Sequence, residues 1–171
     1  MEMLYAPWRE DYTTKVDQGP KDPKSDGADQ CVFCVQFTQN KDDEFLILAR
    51  YPNACIMMNK YPYNSGHLLI LPLVHKANLE DLSAETRHEL TELIMHSTVI
   101  LKKELQTHGI NVGLNLGKAA GSSIPSHLHY HVLPRWTGDT NFLPTLAGTK
   151  QISTDITKLF ARLKPQFQNL L

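Results

Sequence analysis

Three histidines, His127, His129 and His131, occupy alternate positions of His127-Leu128-His129-Tyr130-His131-Val132-Leu133. On a β-strand alternate side chains share a face, so the three imidazoles form one row, ~6.6 Å from one to the next. Just upstream runs Asn115-Leu116-Gly117-Lys118-Ala119-Ala120-Gly121-Ser122-Ser123-Ile124-Pro125, a loop of small residues whose backbone N–H groups and hydroxyls suit an anion. A phosphate cradle and a histidine row therefore sit together within residues 113–134.

A second constellation has metal-ligand spacing. Cys31-x-x-Cys34 is a zinc-knuckle pair that needs two more ligands for a closed tetrahedral site, and His75 and one histidine of the row are candidates. The alternatives are two ordinary buried thiols or a redox pair, the latter without the βαβ context that such a pair requires. A further alternative places His127, His129 and His131 on one catalytic zinc with an open position for water, which would make a metallohydrolase. No carboxylate stands beside the row to act as its base, and the loop points to phosphate. His67, at the mouth of the apolar run Leu68–Pro72, is placed to touch a ligand; Cys55 reads as a core residue, and His88, His96 and His108 as solvated surface.

The elements that must position these groups follow from patterning. The chain has 171 residues, enough for one domain with a core, a formal charge of −1, and Lys and Arg dispersed rather than striped, which argues against a nucleic acid partner. No signal segment or membrane-length apolar run is present, and three cysteines make no disulfide framework, so a soluble, cytoplasmic, reduced setting is expected. Residues 1–30 divide into an aromatic arm (Tyr5, Trp8, Tyr12), able to dock on the domain or a second subunit, and a polar linker; residues 31–171 form the domain. Within it Phe45–Arg50 and Ala54–Asn59 pattern as a hairpin, and Leu68–Pro72, Asn111–Leu116 and Leu128–Leu133 as strands. Leu79–Thr107 patterns as a long helix with Ser83 as a good N-cap and Gly109 ending it, and Ser153 is expected to cap a final amphipathic helix through Ile156, Leu159, Phe160 and Leu163.

The alternating histidines, the Ala120-Gly121-Ser122-Ser123 loop, Asn115-x-Gly117, Ser65-Gly66-His67 and Cys31-x-x-Cys34 together resemble the histidine-triad (HIT) superfamily across about residues 31–142. The resemblance implies an α+β fold, an antiparallel sheet of about five strands with the long helix packed on it and a C-terminal helix, usually in a homodimer whose sheets join. It implies nucleotidyl transfer: His129 attacks the α-phosphorus of a nucleotide and forms a nucleotidyl-histidine intermediate. A neutral imidazole is nucleophilic near pH 7 and leaves readily once phosphorylated, so one difficult displacement becomes two easier ones. By the same carry-over His131 contacts the phosphate and assists the leaving group, while Gly121, Ser122 and Ser123 hold phosphate oxygens. Asn59 would bond the ribose, with His67 and Asn115 near ribose or phosphate. Zinc would be structural, held by Cys31, Cys34, His75 and His127, and Mg²⁺ on the polyphosphate is left open.

The sequence departs from many hydrolase members in carrying Ser122-Ser123 where a loop glutamine would position water. The stretch Gly121–Pro125 together with Pro134–Phe142 looks more like bacterial dinucleoside-polyphosphate hydrolases or phosphorylases. The expected activity is cleavage of dinucleoside polyphosphates such as diadenosine tetraphosphate at the α-phosphate, resolved by water or inorganic phosphate; the alternative is a catalytically silent nucleotide-binding or regulatory module.

Overall fold

The structure, a computed structural model, describes residues 27–142, 146–148, 152, 154–168 and 170. The expected aromatic arm and most of the linker, and Ser153, lie outside the described residues. Among these the ordered elements are α1 (Val32–Thr38), β1 (Ile47–Arg50), β2 (Ala54–Met58), β3 (Leu68–Pro72), α2 (Ala84–Leu105), β4 (Gly109–Leu114), β5 (Tyr130–Arg135) and α3 (Ile156–Phe167).

The five strands form one antiparallel sheet in the order β1-β2-β3-β5-β4. Every residue of β2 and β3 is buried, which accounts for unbroken apolar runs in place of alternation. The pleat sorts them: Ile56, Met58, Leu68, Ile70 and Val132 face α2 and α3 and meet Leu90, Leu93, Leu101, Phe160, Leu163 and Phe167. On the opposite face Cys55, Met57, Leu69 and Leu71 pack with Phe33 and Cys31 at the start of α1. Register carries this second face across the sheet, pairing Met57 with Leu69, Leu69 with His131, and His131 with Gly113. His131 thus stands in line with apolar neighbours on the thinly covered face.

The long helix is shorter than its apolar pattern suggests. Residues Leu79–Asp81 form a separate 3₁₀ turn, and the helix begins after Ser83, whose Oγ accepts from the Thr86 N–H. It ends at Gln106 in the left-handed conformation, and Gly109 instead opens β4. Asp155, not Ser153, caps α3, its carboxylate accepting from the N–H groups of Thr157 and Lys158. The histidine strand also starts late. Ladder pairing begins at Tyr130, while Leu128 donates its N–H to the Lys76 carbonyl at 2.7 Å, so His127 and His129 sit on a lead-in to β5 rather than in the sheet.

Two devices fix the loop before β3. Asn64 donates from Nδ2 to the Pro134 carbonyl and to Asp139, which also binds Arg135 through two guanidinium nitrogens and accepts from the Trp136 N–H. The exit of β5 is thereby tied to the approach of β3. Gly66 has φ +74°, and a Cβ there would lie 2.6 Å from Leu105 Cδ1 and 3.3 Å from Pro134 Cγ. Both conformation and space demand glycine. Gly66→Ala is expected to cost about 2–3 kcal/mol, read as a lowered midpoint in urea unfolding; an unchanged midpoint would refute this account of the loop.

Candidate active site

The site is built from three segments that meet on the α1 face of the sheet. His67 follows the Gly66 turn, His131 lies opposite Leu69 in β5, and His129 precedes β5. The rings of His129 and His131 are 5.0 Å apart, closer than strand spacing alone gives, and those of His67 and His131 5.1 Å apart. Together with Phe33, Asn59, Tyr63 and Ser123, His129 and His131 line a cavity of about 330 Å³. A larger groove of about 730 Å³ between α3 and residues 43–46 contains no histidine.

Hydrogen bonds assign the tautomers in sequence. His67 Nδ1 accepts from the Tyr63 backbone N–H at 3.1 Å and faces Asn59 Nδ2 at 3.3 Å, so its proton is on Nε2. That proton is donated to His131 Nδ1 at 2.9 Å, which leaves His131 with its own proton on Nε2. His131 Nε2 is buried with no partner among the described residues, a donor available to a ligand. His129 Nδ1 donates to the His127 carbonyl at 2.8 Å, so its Nε2 keeps a lone pair. Burial holds the group neutral at pH 7: it lowers His67 to about 3 and His131 to about 4, with neighbouring imidazoles adding to the effect, and lowers His129 despite the carbonyl bond. A neutral nucleophile and a neutral donor are what attack at phosphorus requires.

Beside this trio lies the second constellation. Cys31, Cys34, His75 and His127 each present one ligand atom, all within 4.8 Å of one another. Their contacts are Cys31 Sγ to His127 Nδ1 at 3.4 Å, Cys34 Sγ to His127 Nδ1 at 3.4 Å and Cys34 Sγ to His75 Nδ1 at 3.3 Å. A tetrahedral zinc with two sulfur and two nitrogen ligands spaces N and S by ~3.6 Å, so the set fits the metal. Further support comes from His127 Nε2, which donates to the Pro72 carbonyl at 2.9 Å and turns Nδ1 toward the thiols. Burial and the adjacent Cys31 push the Cys34 thiol up to about 12. A cation bound at the cluster would favour the Cys34 thiolate against this burial.

Of the other residues singled out by sequence, Asn59 and Ser123 line the cavity. Ser122 is buried and Gly121 has φ +91°, but the N–H groups of Ala120, Gly121 and Ser122 bond back to Gly117 and Lys118 within the loop, so they are already used. Asn115 does not line the cavity. The metal set takes His127 out of the row, so the three-histidine zinc alternative is not what the geometry assembles. His108 is exposed, as expected, and also accepts from the Thr137 N–H at 2.9 Å, tying the start of β4 to the segment after β5. Two site residues carried no motif. The Tyr63 ring stacks on His131 at 5.7 Å, and the Phe33 ring lies 5.5 Å from His127 and 5.4 Å from His129, bridging the cysteine–histidine cluster and the cavity. Phe33's place between the two cysteines was its one available signal.

Comparison with known proteins agrees with this geometry. The chain matches the HIT domain over residues 40–138. It is 37% identical over 164 residues to a Mycobacterium tuberculosis protein named AP-4-A phosphorylase, covering 94% of this chain and 83% of that protein. It is 33% identical over 81 residues to the Saccharomyces cerevisiae bis(5'-adenosyl)-triphosphatase, covering 47% of this chain and 39% of the relative. A crystal structure of a Zn-bound histidine triad family protein from Mycobacterium smegmatis superposes with a TM-score of 0.66 at 26% identity, over 82% of this chain and 94% of that one. The alternating histidines and the five-stranded antiparallel sheet thus stand in a chain that belongs to the HIT domain family.

Proposed function

We propose that the protein cleaves dinucleoside polyphosphates at the α-phosphate through a nucleotidyl-His129 intermediate, and that inorganic phosphate resolves it. The observation that carries this reading is the hydrogen bond from His129 Nδ1 to the His127 carbonyl, which leaves the Nε2 lone pair on a ring that lines the cavity. In the first step Nε2 forms a bond to the α-phosphorus, and the P–O bond to the remaining polyphosphate breaks, its oxygen keeping the electron pair. His131 Nε2–H donates to the phosphoryl or leaving oxygen, and Ser123 lies on the same wall. In the second step a phosphate oxygen attacks phosphorus, the N–P bond breaks, and a nucleoside diphosphate departs. The M. tuberculosis relative's name and the absence of a loop glutamine ahead of the triad favour phosphate over water.

The reading assigns a structural zinc to Cys31, Cys34, His75 and His127, where it would fix His127 and hold α1 to the sheet. It also includes a homodimer. Strand β4 is an open edge of the sheet, with exposed Val112 on it, and Met95 and Val99 lie exposed on α2.

Diadenosine tetraphosphate with phosphate is expected to yield ADP and ATP, with His129→Ala slowing turnover by at least ~10³-fold; AMP and ATP without phosphate would make the protein a hydrolase, and no turnover would leave a binding module. Metal analysis of protein purified without chelator should find one zinc per chain, with His75→Ala losing it and lowering Tm by about 10 °C; zinc-free wild type overturns the assignment. Sedimentation at micromolar concentration should give a dimer that Val112→Lys dissociates, and a wild-type monomer would remove the dimer from the proposal.

A further inference from the structure

Resting on the nucleotide reading above, we infer that Gln36 reads the base and selects one carrying an exocyclic amine, adenine foremost, over an oxo base such as hypoxanthine. Gln36 lies in α1 three residues beyond Phe33, whose ring is 5.4 Å from that of His129. At the helical rise Gln36 lies ~4.5 Å beyond Phe33 along the helix axis. It lines the same cavity, whose walls there include Val32, Phe33, Met57 and Ile124. Flat apolar walls suit a purine, and the carboxamide supplies the polar group that fixes its orientation.

The chain gives that group no partner of its own. Gln36 Oε1 is shut off from solvent and has no hydrogen-bond partner among the described residues. Asn59, another amide of the lining, is engaged by Tyr61 and His67. The terminal torsion of a glutamine is soft, so the carboxamide turns onto a bound ring at little cost. It then accepts from the exocyclic amine and donates to the ring nitrogen beside it, the pairing that matches adenine N6 and N7. Hypoxanthine presents two acceptors at that edge, O6 and N7, so whichever way the carboxamide turns its Oε1 meets an acceptor. A site whose polar group is left unpaired by the wrong ligand discriminates strongly.

The mount is fixed at its other side. The Arg50 guanidinium donates to the carbonyls of Phe37 at 2.8 Å, Gln39 at 3.2 Å and Gln36 at 3.4 Å, and is itself held by Asp42 at 2.7 Å. The last turn of α1, from which the amide projects, is thereby clamped to β1.

The test is calorimetric binding of AMP and of inosine 5′-monophosphate to wild type, Gln36→Leu and Gln36→Glu, with turnover of diadenosine and diinosine tetraphosphate in parallel. Wild type is expected to bind AMP at least about tenfold more tightly, Gln36→Leu to bring the ratio within about twofold, and Gln36→Glu, which keeps an acceptor, to retain the preference for AMP. Leucine and glutamate are good helix formers, and unchanged circular dichroism melts certify the fold. A ratio unaltered in Gln36→Leu, or a wild type without preference, overturns the inference while phosphate-dependent turnover through His129 would leave the proposed function standing. Wild type that binds neither mononucleotide and turns over neither dinucleotide overturns both.

Discussion

The hydrogen bond between His129 Nδ1 and the carbonyl of His127 is the constraint on which the rest of the molecule depends. It is made within two residues, so it holds only if the backbone at 127–129 is kept extended and the His127 carbonyl is aimed at its neighbour's ring. Three separate contacts impose that geometry: His127 Nδ1 on the two thiols, His127 Nε2 on Pro72, and the Leu128 N–H on Lys76. The His129 tautomer is set by backbone, and the backbone by the Cys31, Cys34, His75 and His127 cluster and the end of β3.

The sheet explains why this works in a chain with a modest core. One face is closed by α2 and α3 around leucines and phenylalanines that provide most of the apolar burial. That leaves the other face free of the demand for close packing, and the short α1 covers only part of it. Binding needs an open cavity, and the cavity exists where the fold does not require filling. The His67–His131 pair crosses between β3 and β5 at the rim, and Tyr63 lies over it as a partial cover.

Much of the site was legible because its chemistry is written in residue types. The two thiols and two histidines of the cluster come from three distant stretches; the Cys-x-x-Cys spacing marked the first pair, and the family resemblance named His75 and His127 as the other two. The alternation of His127, His129 and His131 gave the row but not its partition, since the metal set claims the first member and the ladder starts only at Tyr130. What sequence hid were contacts made by backbone and by ordinary side chains. The Tyr63 N–H on His67 and the loop N–H groups that turn inward leave no trace in residue type. The start of α2 was misplaced because Leu79 and Leu82 continue the apolar stripe, while the Ser83 cap decides where hydrogen bonding begins.

Helix α1 has seven residues, too few to persist alone in water. Its first turn is anchored by the thiols and its last by the Arg50 clamp. A segment so held opens as a unit, with a local free energy well below that of the sheet. Because Phe33 lines both the cluster and the cavity, a metal held by the first and a nucleotide held by the second would stabilise the same small unit, and each would raise the occupancy of the other by linkage rather than by contact.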